Sequence, residues 1–179
     1  MRVSKPHGAP ERNPDLSSLY QSVREASARL GAPLSDADAT VQSMPDASPA
    51  KWHLAHTTWF FERMILEPNL SGYRAFDPQF NFLFNSYYVS IGARQPRPRR
   101  GMITRPALET IIAYRDHVDR AMASLMQDNL GAAVAELIEL GCNHEQQHQE
   151  LLLTDILHLF AQNPLRPAYK DPEIGRAHV

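Results

Sequence analysis

The sequence predicts an all-α fold, a four-helix bundle, and three observations carry that prediction. Four stretches place apolar residues three and four apart, the spacing of one helical face. No stretch alternates with the two-residue period of a strand, and no internal repeat is visible. A long aperiodic segment, residues 69–104, separates the second periodic stretch from the third, like the crossover of a bundle with one long connection. The 179 residues suffice for one domain with a core.

The first helix is expected from Pro14 to Leu30. Asn13 can cap it, and Pro14 suits its first turn. Leu16, Leu19, Val23, Ala26 and Leu30 make one stripe, and Gly31 with Pro33 ends it. Residues 32–47 read as a polar connector. The second helix is expected to start with Ser48 as cap and Pro49 as first residue, and to stop at Pro68 after Glu67. Its face carries Trp52, His56, Trp59 and Phe60.

The crossover is aromatic early (Tyr73, Phe76, Phe80, Phe82, Phe84, Tyr87, Tyr88) and basic late (Arg94, Arg97, Arg99, Arg100). Loops this long are often functional, and these aromatics must cover the bundle. A short helix is expected near Phe80 to Phe84. The third helix starts near Thr104-Arg105-Pro106 and runs to Gln127, with Ala107, Ile111, Tyr114, Val118, Ala121 and Leu125 as a heptad seam. The fourth runs from Leu130 to Ala161 and ends at Asn163-Pro164. Its stripe is Val134, Leu137, Gly141, His144, His148, Leu151 and Asp155. The domain reading is a flexible N-terminus (1–13), the bundle (14–167) and a tail (168–179).

A net charge of −2 gives no electrostatic reason to expect a nucleic acid or an anionic membrane as partner. No apolar run approaches the ~20 residues of a membrane span. Cys142 is the single cysteine, which excludes a disulfide within the chain, and residues 1–15 lack the apolar core of a secretory signal. A reducing, cytoplasmic setting is the expectation.

The chemistry concentrates in the fourth helix. His144 and His148 stand four apart, on one face and one turn from each other, where leucines would otherwise sit. Imidazoles facing a core must be hydrogen-bonded or bound to metal. An isolated pair would read as satisfied core histidines. His56, on the apolar face of the second helix, changes the weighting, because three imidazoles from two helices can then share one ion and leave positions open on it. His53 competes as third ligand. It points about 100° round the helix from Trp52, whereas His56 lies about 40° away, so spacing favours His56. As an acceptor for a ligand ring's other N–H, Asp155 is better placed than Glu145 and Glu150, which lie off the stripe and read as solvated.

His144-Glu145-Gln146-Gln147-His148 also matches the His-Glu-x-x-His pattern of zinc peptidases, with Glu145 as general base. Leu151 and Thr154 stand where a metzincin extension wants Gly and His, and the strands of a peptidase cleft are missing from the pattern.

Three strings carry a family likeness: Gln42-Ser43-Met44-Pro45-Asp46-Ala47-Ser48-Pro49, then Lys51-Trp52-His53-Leu54-Ala55-His56-Thr57-Thr58-Trp59-Phe60-Phe61-Glu62, then Asn143-His144-Glu145-Gln146-Gln147-His148-Gln149-Glu150. In this order they resemble the N-terminal DinB-like domain of ergothioneine-biosynthesis sulfoxide synthases of the EgtB type, over residues 15 to 169. The resemblance implies a DinB-like four-helix bundle holding one non-haem Fe(II) on His56, His144 and His148. It implies oxygen-dependent C–S bond formation between hercynine and γ-glutamylcysteine or cysteine, giving a sulfoxide. It also implies crossover arginines that hold the thiol's carboxylates, here Arg97 and Arg100 before Arg94 and Arg99, by bidentate guanidinium pairing.

The family's second domain, of the formylglycine-generating-enzyme type, would follow the bundle and supply much of the hercynine pocket. Residues 174–179, Ile-Gly-Arg-Ala-His-Val, resemble the translation of a common sequencing adapter. The expectation is therefore a chain truncated in its tail, with non-native last residues and little activity alone. The other functional classes in view are a zinc-dependent hydrolase or thiol transferase on the same DinB-like bundle, and a non-catalytic interaction module.

Overall fold

The computed structural model describes residues 14–86, 92–128 and 130–170. The expected flexible N-terminus, the Asn13 cap, Tyr87, Tyr88 and the end of the tail lie outside the described residues. Among the described residues every regular element is helical: α1 (Pro14–Gly31), α2 (Asp36–Thr40), α3 (Ala50–Phe60), a π-helical turn (Phe61–Leu66) leading into α4 (Glu67–Asn69), α5 (Phe80–Phe84), a 3-10 turn (Arg97–Met102), α6 (Leu108–Leu125) and α7 (Ala132–Gln162). None of them is long and apolar enough to cross a membrane.

The bundle is organised on α3. All of its residues are buried, as expected of a helix surrounded by others. It packs against α6 on one side and α7 on the other, α1 lies on α7, and α5 lies over α3. Gly141 of α7 allows the close approach of α3's end. A Cβ there would stand 2.6 Å from Phe61 Cε1 and 3.0 Å from Phe60 Cε1.

Four boundaries differ from the sequence reading, each for a local reason. The connector 32–47 contains α2, opened by a capping box in which Ser35 and Asp38 satisfy each other's backbone donors. Ser48 does not cap α3. Pro49 takes that position with no side-chain cap, and Ser48 serves contacts described below. Pro68 does not end the second helix at Glu67. The π turn shifts the register, and Pro68 falls in the first turn of α4, where no intrahelical donor is needed. The third helix begins at Leu108, past the cis Arg105–Pro106 bond, and Asp36 Oδ1 accepts the Leu108 N–H at 2.7 Å.

The crossover is pinned by buried polar groups. Trp52 Nε1 donates to the Leu83 carbonyl at 3.1 Å, and Trp59 Nε1 donates to Asn81 Oδ1 at 2.9 Å, so one face of α3 fixes α5. Glu62 in the π turn accepts from Tyr73 (2.7 Å), Tyr114 (2.6 Å) and the Phe76 N–H (3.0 Å), tying the crossover to α6. Gln42 clamps the 3-10 turn, donating to the Arg97 carbonyl at 2.9 Å and accepting from the Gly101 N–H at 2.7 Å.

Candidate metal centre

The buried seam of α7 lies one residue on from the predicted stripe. Ile138, Cys142, Glu145, Leu152 and Ile156 are buried, with Gln149 between them, whereas Leu151 is 36 % exposed. His144 and His148 flank this seam and face α3, each half-buried. Gln149 donates to the Val23 carbonyl and to Ser27 Oγ, which accounts for an amide in the seam. The shift escapes a sequence reading because Glu145 and Gln149 look like surface residues.

His56, His144 and His148 converge. One ring nitrogen from each lies within 4.8 Å of the other two. The ring centroids are 5.0 Å apart for His56 and His144, 4.8 Å for His56 and His148, and 4.7 Å for His144 and His148. His56 lies stacked between Trp52 and Trp59, at 4.6 and 5.6 Å with 13° between planes in both cases. Its Nδ1 donates to the Phe84 carbonyl at 2.6 Å, which leaves Nε2 with the lone pair.

Burial makes all three rings hard to protonate. Desolvation lowers the pKa of His56, and His144 beside it lowers it further. Desolvation also lowers His144, and burial with the neighbouring imidazoles of His56 and His53 lowers His148 strongly. Neutral imidazoles are what a divalent metal requires. His144 Nδ1 is buried without a hydrogen-bond partner, an orphaned donor-acceptor atom beside two converging rings. A cation held by this set suits the arrangement, and an all-imidazole set suits Zn, Fe, Cu or Ni.

His53 faces the same cluster from behind. Its Nδ1 is 2.9 Å from His148 Nδ1, and its Nε2 is 3.0 Å from Asp155 Oδ2. It is therefore in contact with His148 rather than grouped with the three converging atoms. Asp155 touches none of those three rings directly. Its Oδ2 also accepts the Ser48 N–H at 2.8 Å.

Glu145 is not solvated, contrary to the sequence expectation. It is 1 % exposed, and it accepts from Arg24 at 2.8 Å and from Arg115 at 2.9 Å. Burial alone would raise its pKa, but the two guanidiniums outweigh burial and hold it down at about 2. Arg24 continues to Asp119 at 2.7 Å and to Thr58 at 3.0 Å. A carboxylate this buried and paired with two guanidiniums is a weak base shut off from solvent, which does not suit the general base of a His-Glu-x-x-His peptidase. Sequence reasoning missed Arg24 and Arg115, and their single signal was a charged residue at seam spacing in each of two apolar helices. Glu150 is exposed, as expected.

The arginines form a second feature. Arg94, Arg97 and Arg100 line a cavity of about 330 Å³ together with Ser86, Gln95 and Pro96. Arg100 is buried, and its guanidinium carbon lies 3.3 Å from the Trp52 ring centroid. It donates to Ser48 Oγ at 2.9 Å and to Ser86 Oγ at 3.3 Å. Trp52 thus separates Arg100 from His56 by one ring. Arg97 Nε is buried with no hydrogen-bond partner among the described residues. Arg99 is exposed and outside this lining, whereas Arg94 belongs to it.

The helical bundle brings together three histidines whose ring nitrogens could hold one metal ion between α3 and α7. The chain belongs to the DinB superfamily, whose profile matches residues 19–152, and members of that superfamily often bind metal. No curated protein matches the chain at a significant level.

Proposed function

We propose that this chain is the metal-binding domain of a non-haem iron(II), oxygen-dependent sulfoxide synthase that joins hercynine to γ-glutamylcysteine or cysteine in ergothioneine biosynthesis. The observation that carries the reading is the three-histidine cluster, built from the same two strings that resemble the EgtB type, with an arginine-lined cavity one tryptophan ring away. Iron(II), when bound, supplies the activation of dioxygen and the redox change needed for C–S bond formation.

The chain's own residues do the rest. His56, His144 and His148 hold the ion and leave part of its surface open to substrates. Arg97 and Arg100 hold the thiol's carboxylates, with Arg94 at the same cavity, and so bring its sulfur towards the histidine cluster. The balance closes: thiol, ring C–H and dioxygen give the sulfoxide and water, one oxygen atom going to sulfur and the other leaving with both hydrogens. In this reading the hercynine pocket is completed by a second domain of the formylglycine-generating-enzyme type.

The test is dioxygen consumption and product analysis by mass spectrometry on the Fe(II)-loaded chain, supplied with such a domain, hercynine and γ-glutamylcysteine or cysteine. The expected product is the thiol–hercynine sulfoxide. Hydrolysis or thiol transfer with Zn(II) and no need for dioxygen would instead establish the alternative enzyme class, and a chain indifferent to every metal would establish an interaction module.

A further inference from the structure

We infer that His53 and Asp155 form a positioning relay that fixes His148 as its Nδ1–H tautomer, with the Nε2 lone pair turned to the metal. This rests on the metal reading of the three-histidine cluster and adds two residues that touch no substrate.

The geometry runs in one line. Asp155 Oδ2 is 3.0 Å from His53 Nε2, and His53 Nδ1 is 2.9 Å from His148 Nδ1. A carboxylate only accepts, so the proton of this contact sits on His53 Nε2. His53 Nδ1 then offers its lone pair, and His148 Nδ1 donates to it. Of the two polarities available to the imidazole pair, only this one leaves His148 a lone pair at Nε2 for a cation.

The sequence explains why an imidazole stands between the two. Asp155 lies seven residues after His148, two turns and about 10 Å along α7, beyond direct reach of that ring. His53 comes from the neighbouring helix and spans the gap. Asp155 is itself held, because the same oxygen accepts the Ser48 N–H at 2.8 Å just before α3. His56 is set by a simpler device, its Nδ1 donating to the Phe84 carbonyl. Two of the three rings thus have their outer nitrogen occupied by an acceptor, which orients the inner one.

The wild-type protein carries the decisive readout. Long-range 1H–15N correlation on the metal-free, 15N-labelled chain should show His148 as the Nδ1–H tautomer, with a coupling across the hydrogen bond to His53 Nδ1. His53→Phe should abolish the single tautomer and weaken Zn(II) binding roughly 10–100-fold. His53→Gln, which offers one acceptor and one donor, should recover most of that affinity. An Nε2–H tautomer at His148 in the wild type overturns the relay, whatever the variants do. So does a His53→Phe protein that keeps the tautomer and binds Zn(II) within twofold of wild type. A wild-type chain that takes up no Zn(II) strikes at the metal reading, whereas the wrong tautomer strikes at the relay alone.

Discussion

His144 and Glu145 are neighbours on α7 that point about 100° apart round the helix, and the two directions treat buried polarity in opposite ways. On the Glu145 side the charge is settled inside the protein. Two arginines from α1 and α6 meet both carboxylate oxygens, and Asp119 and Thr58 extend the network. On the His144 side the polarity is left open. Three imidazoles converge, and Nδ1 of His144 is buried with no hydrogen-bond partner. The closed network is a structural device that locks α1, α6 and α7 in place. In the proposed function the open cluster takes its partner from outside, a metal ion. The difference shows which buried polar group is candidate chemistry: the unsatisfied one, not the one with the more famous motif.

The largest expected effect breaks the closed side. Glu145→Ala leaves Arg115 buried without its carboxylate partner and Arg24 with Asp119 alone, a loss on the order of 3–5 kcal/mol in urea unfolding. His144→Ala should leave the metal-free fold much closer to wild type, because it removes a group that was already unsatisfied. An equal loss from both substitutions would erase the contrast.

Acid probes the same network. The folded pKa of Glu145 is depressed to about 2 from an ordinary value of 4.5. Its contribution is therefore complete above about pH 4.5 and is lost as pH falls through 2. The linkage amounts to about 3 kcal/mol. Unfolding free energy measured between pH 5 and 2 should drop steeply in the wild type and more shallowly in Glu145→Gln.

The open side should gain stability only from a ligand. A divalent metal at about 100 times its dissociation constant should add about 2.7 kcal/mol to the wild type and nothing to His144→Ala, as read by thermal unfolding. Gly141→Ala tests the closeness of α3 and α7 one turn before the cluster. Alanine is the better helix former by about 1 kcal/mol, yet the Phe61 ring must move to admit its Cβ, at a cost of about 1–3 kcal/mol, so the net change should be destabilising. The smallest effect belongs to Asp119→Ala. Its carboxylate is 34 % exposed, and its loss should cost about 1 kcal/mol or less.

The all-helical class was legible because apolar spacing is a local property, and the short helix at Phe80–Phe84 was legible in the aperiodic crossover from its run of aromatics, which must cover the bundle. The α2 helix was hidden in a polar connector, although Ser35 and Asp38 carried a capping signal. The seam of α7 was read one residue early because a lone sequence shows Glu145 as charged and cannot show that Arg24 and Arg115, from other helices, neutralise it. The role of His53 was equally out of reach. Spacing separated it from His56, but its contact with Asp155 depends on how α3 and α7 cross.

Anaerobic Fe(II) titration of the wild-type chain beside the single variants His56→Ala, His144→Ala and His148→Ala tests the central claim most directly. The account predicts one equivalent of iron in the wild type and a loss of tight binding in each variant. Unchanged iron stoichiometry in any of the three, or no uptake by the wild type, would contradict it.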